Sequence, residues 1–204
     1  MRPAPAPPVV ANAPTAELVA AVQRRTRGVL MVGQVLAGLG MGATLSIGAI
    51  LAAEISGSPA FSGMAATAVT LGAALAAIPL ARLARRAGRA PALATGAVAA
   101  ASGAVLAMLA AGISSFALLL LGILLIGSGT AVNLQSRFAA ADLAAPATRA
   151  RDLSLVVWAT TVGAVSGPNL IGPGEALGAV LGLPELSGPF LFTVIAQALA
   201  AALY

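Results

Sequence analysis

The side chains of this sequence that could do chemistry fall into three small groups. Gln34 and Asn133 place carboxamides in or near apolar stretches, where an unpaired amide costs on the order of 1 to 3 kcal/mol. Each must therefore hydrogen-bond, either to a neighbouring helix or to a ligand. Trp158 could stack on an apolar or aromatic molecule, or sit in the aromatic belt at a membrane surface. The second group is ionic: Arg82, Arg85, Arg86 and Arg89 cluster together, with Asp142, Arg149, Arg151 and Asp152 further along. Such a cluster can form ion pairs or act as a topology signal read against anionic membrane lipid. The third group is conformational. "GAVSGPNLIGPG", residues 163–174, holds Gly163, Gly167, Pro168 and Gly172 near the end of a long apolar run. Pro168 removes a backbone donor and bends a helix, while the glycines give a flat face for a neighbour, so the segment reads as a hinge or a seal.

What is missing narrows the chemistry further. There is no Cys and no His, which removes disulfides, thiolate reactions, the usual zinc sites and imidazole relays. No apolar stretch carries a nucleophile, a base and an orienting group at workable spacing, so enzymatic catalysis is not expected. Neither a cofactor nor a metal is implied. Thr44, Ser46, Thr67, Thr70, Thr160 and Thr161 are expected to bond back to their own helices.

The elements that must hold these groups are membrane-spanning helices. Of 204 residues, 59% are hydrophobic and 8% charged, with a mean hydropathy of +0.99, whereas a soluble domain carries roughly a quarter charged residues. The net charge of +5 would suggest nucleic acid in a soluble chain, but here the charges fall between apolar runs and encode orientation. Residues 1–14 carry five prolines and read as a disordered cytoplasmic tail. Residues 15–27 read as a juxtamembrane amphipathic helix, with Thr15 as N-cap and Arg24, Arg25 and Arg27 in the last turn. Six apolar stretches follow, 28–53, 61–81, 91–112, 115–134, 153–172 and 188–204, where a span needs about 20 residues. The expected fold is all-α: a six-helix transmembrane bundle over 28–204. With the N-terminus cytoplasmic, all eleven arginines lie in cytoplasmic segments, while Glu54, Glu175 and Glu185 lie in the opposite loops. Small residues, such as Gly38 and Gly42 or Gly96 and Gly103, predict close helix packing.

Three stretches carry a resemblance to a known family. "ARLARRAGRAP", residues 81–91, is similar to the loop between helices two and three of the major facilitator superfamily of secondary transporters. Arg86, Gly88, Arg89 and Pro91 match that loop, whereas Ala81 stands where the family has Gly and Arg85 where it has Asp. Gly163, Gly167, Pro168 and Gly172 fall on the Gly-Pro signature in helix five of the family's exporters, with Ile171 replacing one Gly. Residues 127–168 resemble the segment from helix four to helix five, with Asp142, Pro146, Arg149 and Arg151 as the loop's acid, Pro and basic pair. The family's buried Arg of helix four is Ile123 here.

The resemblance implies the amino-terminal half of a twelve-helix transporter, itself built from 3+3 inverted repeats. It implies a central cavity lined by the helices of Gln34 and Asn133, with Trp158 a further candidate for it by position, and a cytoplasmic gate drawn from Arg82, Arg85, Arg86, Gly88, Arg89, Asp142, Arg149 and Arg151, with Asp152 as a second acid. Helix five would limit leakage where the two halves meet. The expected function is alternating-access transport, efflux of small apolar or drug-like compounds, in a bacterial inner membrane. Its partners would be membrane lipid, a small-molecule substrate and a second six-helix bundle, without which it would be inactive. The alternatives are a half-size transporter working as a homodimer or heterodimer, and a non-transporting membrane assembly or regulatory protein. No span carries an ionisable residue near its middle, so this half holds no proton site of its own.

Overall fold

A computed structural model describes residues 16–142 and 144–204. The Pro-rich stretch 1–14, with Arg2, and the Thr15 cap lie outside the described residues. Ala and Gly dominate the apolar runs, and in lipid every backbone polar group must be satisfied within its own segment, so these runs form helices. The described residues contain α1 (Ala16–Ser56), α2 (Ser62–Ala87), α3 (Arg89–Gly112), α4 (Phe116–Ile126), α5 (Ser128–Asp142), α6 (Arg149–Ser166), α7 (Ile171–Val180) and α8 (Gly188–Leu203), and no strand. Single-turn 3₁₀ segments occupy Pro59–Phe61 and Gly167–Leu170.

These helices group into spans. Five segments are long and apolar enough to cross a membrane: Glu17–Ser56, Pro59–Ala87, Arg89–Gly112, Phe116–Asp142 and Arg149–Val180. The sixth, α8, has 16 residues, about 24 Å at helical rise. The juxtamembrane helix expected over 15–27 and the first span expected over 28–53 are one continuous helix. Gly28 lies between them with open space where a Cβ would be, and a lone Gly weakens a helix without ending it. The fourth span runs to Asp142 rather than 134, and the fifth covers Arg149–Val180 rather than 153–172. Residues 135–142 and 149–152 are polar-containing ends that the apolar run alone does not mark, and residues 173–180 continue the fifth span beyond its Gly-Pro break.

Small residues set the packing. α1 packs chiefly on α6 and α8, and α3 on α4 and α8. A Cβ on Gly38 would lie 2.5 Å from the Thr160 carbonyl oxygen, and one on Gly167 would lie 2.6 Å from Gly42 Cα. Gly163 faces the Val35 carbonyl and the Leu39 nitrogen. Four glycines thus let the α1 and α6 backbones touch, which is how helices associate where lipid supplies no hydrophobic drive. Gly103 and Gly122 do the same for α3 and α4. The larger buried side chains fill two clusters, one around Ile47, Leu119, Ile123, Ile126 and Phe190, the other around Leu30, Leu93, Val132 and Val156.

Candidate functional site

The fifth span is interrupted at Pro168, where a bend is expected, and the interruption shapes the site. α6 stops at Ser166, the chain turns as 3₁₀ over Gly167–Leu170 with Pro168 inside the turn, and α7 resumes at Ile171. Beside that bend, α1, α5 and α6 enclose an open concavity of about 340 Å³, lined by Met41, Ser46, Thr130, Asn133, Thr160 and Pro168 among others. No charged side chain lines it.

Gln34 sits just behind this wall, fully buried. Thr160 donates its hydroxyl proton to Gln34 Oε1 at 2.8 Å, tying α6 to α1, while Gln34 Nε2 has no hydrogen-bond partner among the described residues. Asn133 lines the concavity and is 9% exposed, and its Oδ1 likewise lacks a protein partner. The structure therefore brings Gln34, Asn133 and Thr160 together. Trp158 is set apart: it is 69% exposed and lies on the α6 face opposite Val156, Ala159 and Gly163, which pack inward. It lines neither the concavity nor any contact with the two amides.

The polar interior is larger than those two amides. Gln197 on α8 is fully buried, neither of its amide atoms pairs with any group among the described residues, and it lies against Gly129 and Gly40. Its sequence signal, an amide in the middle of an apolar run, is the same as that of Gln34. Thr193 donates to the Gly40 carbonyl at 3.0 Å and shares a 3.3 Å contact with Thr44. Thr44 and Thr160 thus cross-link helices instead of only bonding back to their own, as Ser46, Thr67, Thr70 and Thr161 do. Ser128 bonds to the Gly96 carbonyl at 2.8 Å, joining α5 to α3. A hydroxyl's choice between its own helix and a neighbour depends on which carbonyl comes near, and that is a property of packing.

The charged end divides into two clasps. Arg89 at the start of α3 grips Asp142 at the end of α5 through Nε at 2.8 Å and Nη2 at 3.3 Å, and donates through Nη1 to Gln135 Oε1 at 3.0 Å. Asp152 is held by other groups. It accepts from Arg27 Nη1 at 2.8 Å and from Gln23 Nε2 at 3.0 Å, and the same Gln23 nitrogen reaches the Ala140 carbonyl at 2.9 Å. That second clasp joins α1, α5 and α6. The arginine cluster therefore answers Asp142 through Arg89 alone. Arg82, Arg85 and Arg86 are exposed and make no ion pair among the described residues, as do Arg149 and Arg151. Gly88, with φ of 98°, makes the turn between α2 and α3 in a conformation that favours glycine.

The expected helix-five seal is also rearranged. Gly163 and Gly167 are buried against α1 within this same bundle, leaving no flat glycine face there for a second half or another protein. Gly172 lies past the bend with nothing within 4 Å of its would-be Cβ, and Pro168 is exposed at the concavity.

Known proteins resemble this chain in sequence. The uncharacterised MFS-type transporter YdeG of Bacillus subtilis (strain 168) is 37% identical over 177 residues, 87% of this chain and 41% of its own length. A second protein of that organism, the uncharacterised MFS-type transporter YddS, is 37% identical over 170 residues, 83% of this chain and 39% of its own. The riboflavin transporter RfnT of Brucella anthropi is 32% identical over 154 residues, 74% of this chain and 38% of its own. The chain thus spans about two fifths of the length of these relatives. Residues 30–204 match the sequence profile of the Major Facilitator Superfamily, from the first span through α8, and the chain belongs to that family.

Proposed function

We propose that this bundle is one half of an alternating-access transporter, working with a second six-helix bundle to export small, uncharged, mostly apolar molecules across a bacterial inner membrane. The second bundle could belong to the same polypeptide or to another subunit, and the bundle alone is expected not to transport. The concavity between α1, α5 and α6 carries the reading, for it is an open, charge-free wall backed by amides, beside a bend that breaks the fifth span. A ligand site needs a mostly apolar lining with a few placed polar groups.

Two further features support it. The arginines gather at one end of the bundle, where the clasps of Arg27 and Arg89 meet the α5–α6 connection, as the positive-inside rule expects of the cytoplasmic side. Leu75, Ile78, Trp158 and Val165 expose apolar surface on α2 and α6, suited to lipid or to a partner bundle. The test is efflux from vesicles holding the full transporter, with a panel of neutral fluorescent compounds that includes riboflavin, after the name of the Brucella relative. Asn133→Leu should alter the panel's ranking while insertion stays normal. A ranking untouched by any change around Asn133, Thr130 and Thr160 would remove the concavity from the transport path.

A further inference from the structure

Every side-chain hydroxyl that lines the concavity directs its proton into the protein. Ser46 donates to the Gly42 carbonyl at 3.1 Å, Thr130 to the Met41 sulfur at 3.5 Å, and Thr160 to Gln34 Oε1 at 2.8 Å. A hydroxyl that donates inward still has lone-pair capacity to accept from outside. Asn133 adds a carboxamide that is more than nine-tenths buried and whose Oδ1 receives no hydrogen bond from the described residues. Its χ2 is a soft torsion, so rotation about it can bring that oxygen to the concavity. The remaining lining is glycine, aliphatic side chains, Met41 and Pro168, none of which carries a side-chain N–H. Asn133 Nδ2 is left as the side-chain donor on a wall that otherwise accepts.

We infer that this wall selects uncharged molecules that present an N–H or O–H on an otherwise apolar frame, and discriminates against carboxylates and phosphates. The inference rests on the transporter reading above and names its substrate class. An anion would meet mostly lone pairs, with Asn133 Nδ2 as the side-chain donor and no cation on the wall to offset its desolvation. A molecule of the same shape with its donor blocked would leave Asn133 Oδ1 unpaired, and a site built to hydrogen-bond rejects an analogue lacking that group.

The test compares three fluorescent probes of one ring system: an aminocoumarin, its N,N-dimethyl counterpart, and a coumarin carboxylate. Binding to the full transporter in nanodiscs is read by probe fluorescence and by ligand-induced thermal stabilisation, neither of which requires transport. The free amine should bind about 3- to 10-fold more tightly than the dimethylated probe, as one hydrogen bond in a desolvated site implies, and the carboxylate should bind most weakly. Asn133→Leu should abolish the difference between amine and dimethylamine. Thr130→Val, nearly isosteric, should reduce it and serves if Asn133→Leu does not fold. Equal binding of the two neutral probes, or preference for the carboxylate, overturns the inference while leaving the transporter reading intact. If none of the probes binds, yet vesicles holding the transporter still export the neutral panel, the concavity is not the site and the inference falls. If neither binding nor export is seen, the transporter reading falls with it.

Discussion

Asp152 is where the structure departs most from what its neighbours in sequence suggest, and neutralising it separates burial from mere pairing. The two clasps look alike on paper, each an Arg–Asp contact of 2.8 Å. Their surroundings differ. The side chains of Arg89 and Asp142 are 38% and 45% exposed, so water and salt screen them, and such pairs are worth about 0.2–1 kcal/mol. The Asp152 side chain is 3% exposed and that of Arg27 29%. Removing one partner of a fully buried pair costs about 3–5 kcal/mol, and Arg27's residual contact with water lowers that to about 2–3 kcal/mol for Asp152→Asn. Asn retains the size of the side chain and an oxygen for Gln23, so the loss isolates the charge. Asp142→Asn should cost less than about 1 kcal/mol. The assay is equilibrium unfolding in mixed detergent–SDS micelles followed by Trp158, the single tryptophan, which sits on the same helix as Asp152. The double variant Arg27→Gln/Asp152→Asn should lose less than the two single losses added, because no unpaired charge remains. Equal losses at Asp152 and Asp142 would refute the reasoning, since burial is the difference between them.

Three shorter predictions follow from the same contacts. Gly163→Ala should destabilise the bundle by about 1–3 kcal/mol because the new methyl meets α1 backbone, whereas Gly172→Ala should be neutral or slightly stabilising; the same unfolding assay compares them. Trp158→Phe should leave the coumarin binding constants unchanged, since that ring lies away from the concavity; a loss of binding would place it in the site after all. Arg89→Ala should lower efflux per inserted molecule in vesicles of the full transporter while changing stability by less than about 1 kcal/mol, so equal efflux would show the clasp to be a static link.

Spans, bend and family were legible in the sequence because they rest on local chemistry: run length, proline placement and glycine spacing. Gly38 and Gly42 lie one turn apart, as do Gly163 and Gly167, and each pair announces a face that can meet another helix. Which faces meet was not legible. The Gly163–Gly167 face resembles a signature tied to the boundary between halves, yet it docks on α1, because α1 carries the complementary notch and shares the bundle. The partners of Asp152 were hidden for a similar reason. Arg151 is adjacent to it in sequence, but adjacent residues on a helix point about 100° apart, and Arg27 and Gln23 arrive from a helix more than a hundred positions earlier. Gln34 and Asn133 could be flagged as costly amides. That Thr160 would claim one lone pair of Gln34, and that Asn133 Oδ1 would be left over, depends on ångström-scale packing that no spacing rule encodes.

The contacts of α6 also bear on where the bundle can move. Arg27 and Gln23 fix its first turn to α1, Thr160 joins Gln34 in its middle, and the four glycines bring the backbones together up to the bend. Ionic, hydrogen-bonding and close-packing links therefore act in series along one interface, and sliding α6 past α1 would break them together. Beyond the bend the pattern changes. α7 packs on α8 through Gly174 and Gly178 against Pro189 and Gly188, and Glu175 Oε2 accepts from the Leu186 nitrogen at 3.0 Å. Hinges are a few element-terminal residues that absorb a change of φ and ψ, and along this span the regular helix is broken at Gly167–Leu170, with Gly167 itself still packed on α1. Pro168 removes a donor there in any case, so a change of angle at the turn breaks fewer backbone hydrogen bonds than the same change inside a regular helix. A rearrangement of this half should carry α1 and α6 as one body and concentrate its bending beside the concavity, where a ligand's contacts with Pro168 and Thr160 would sense it directly.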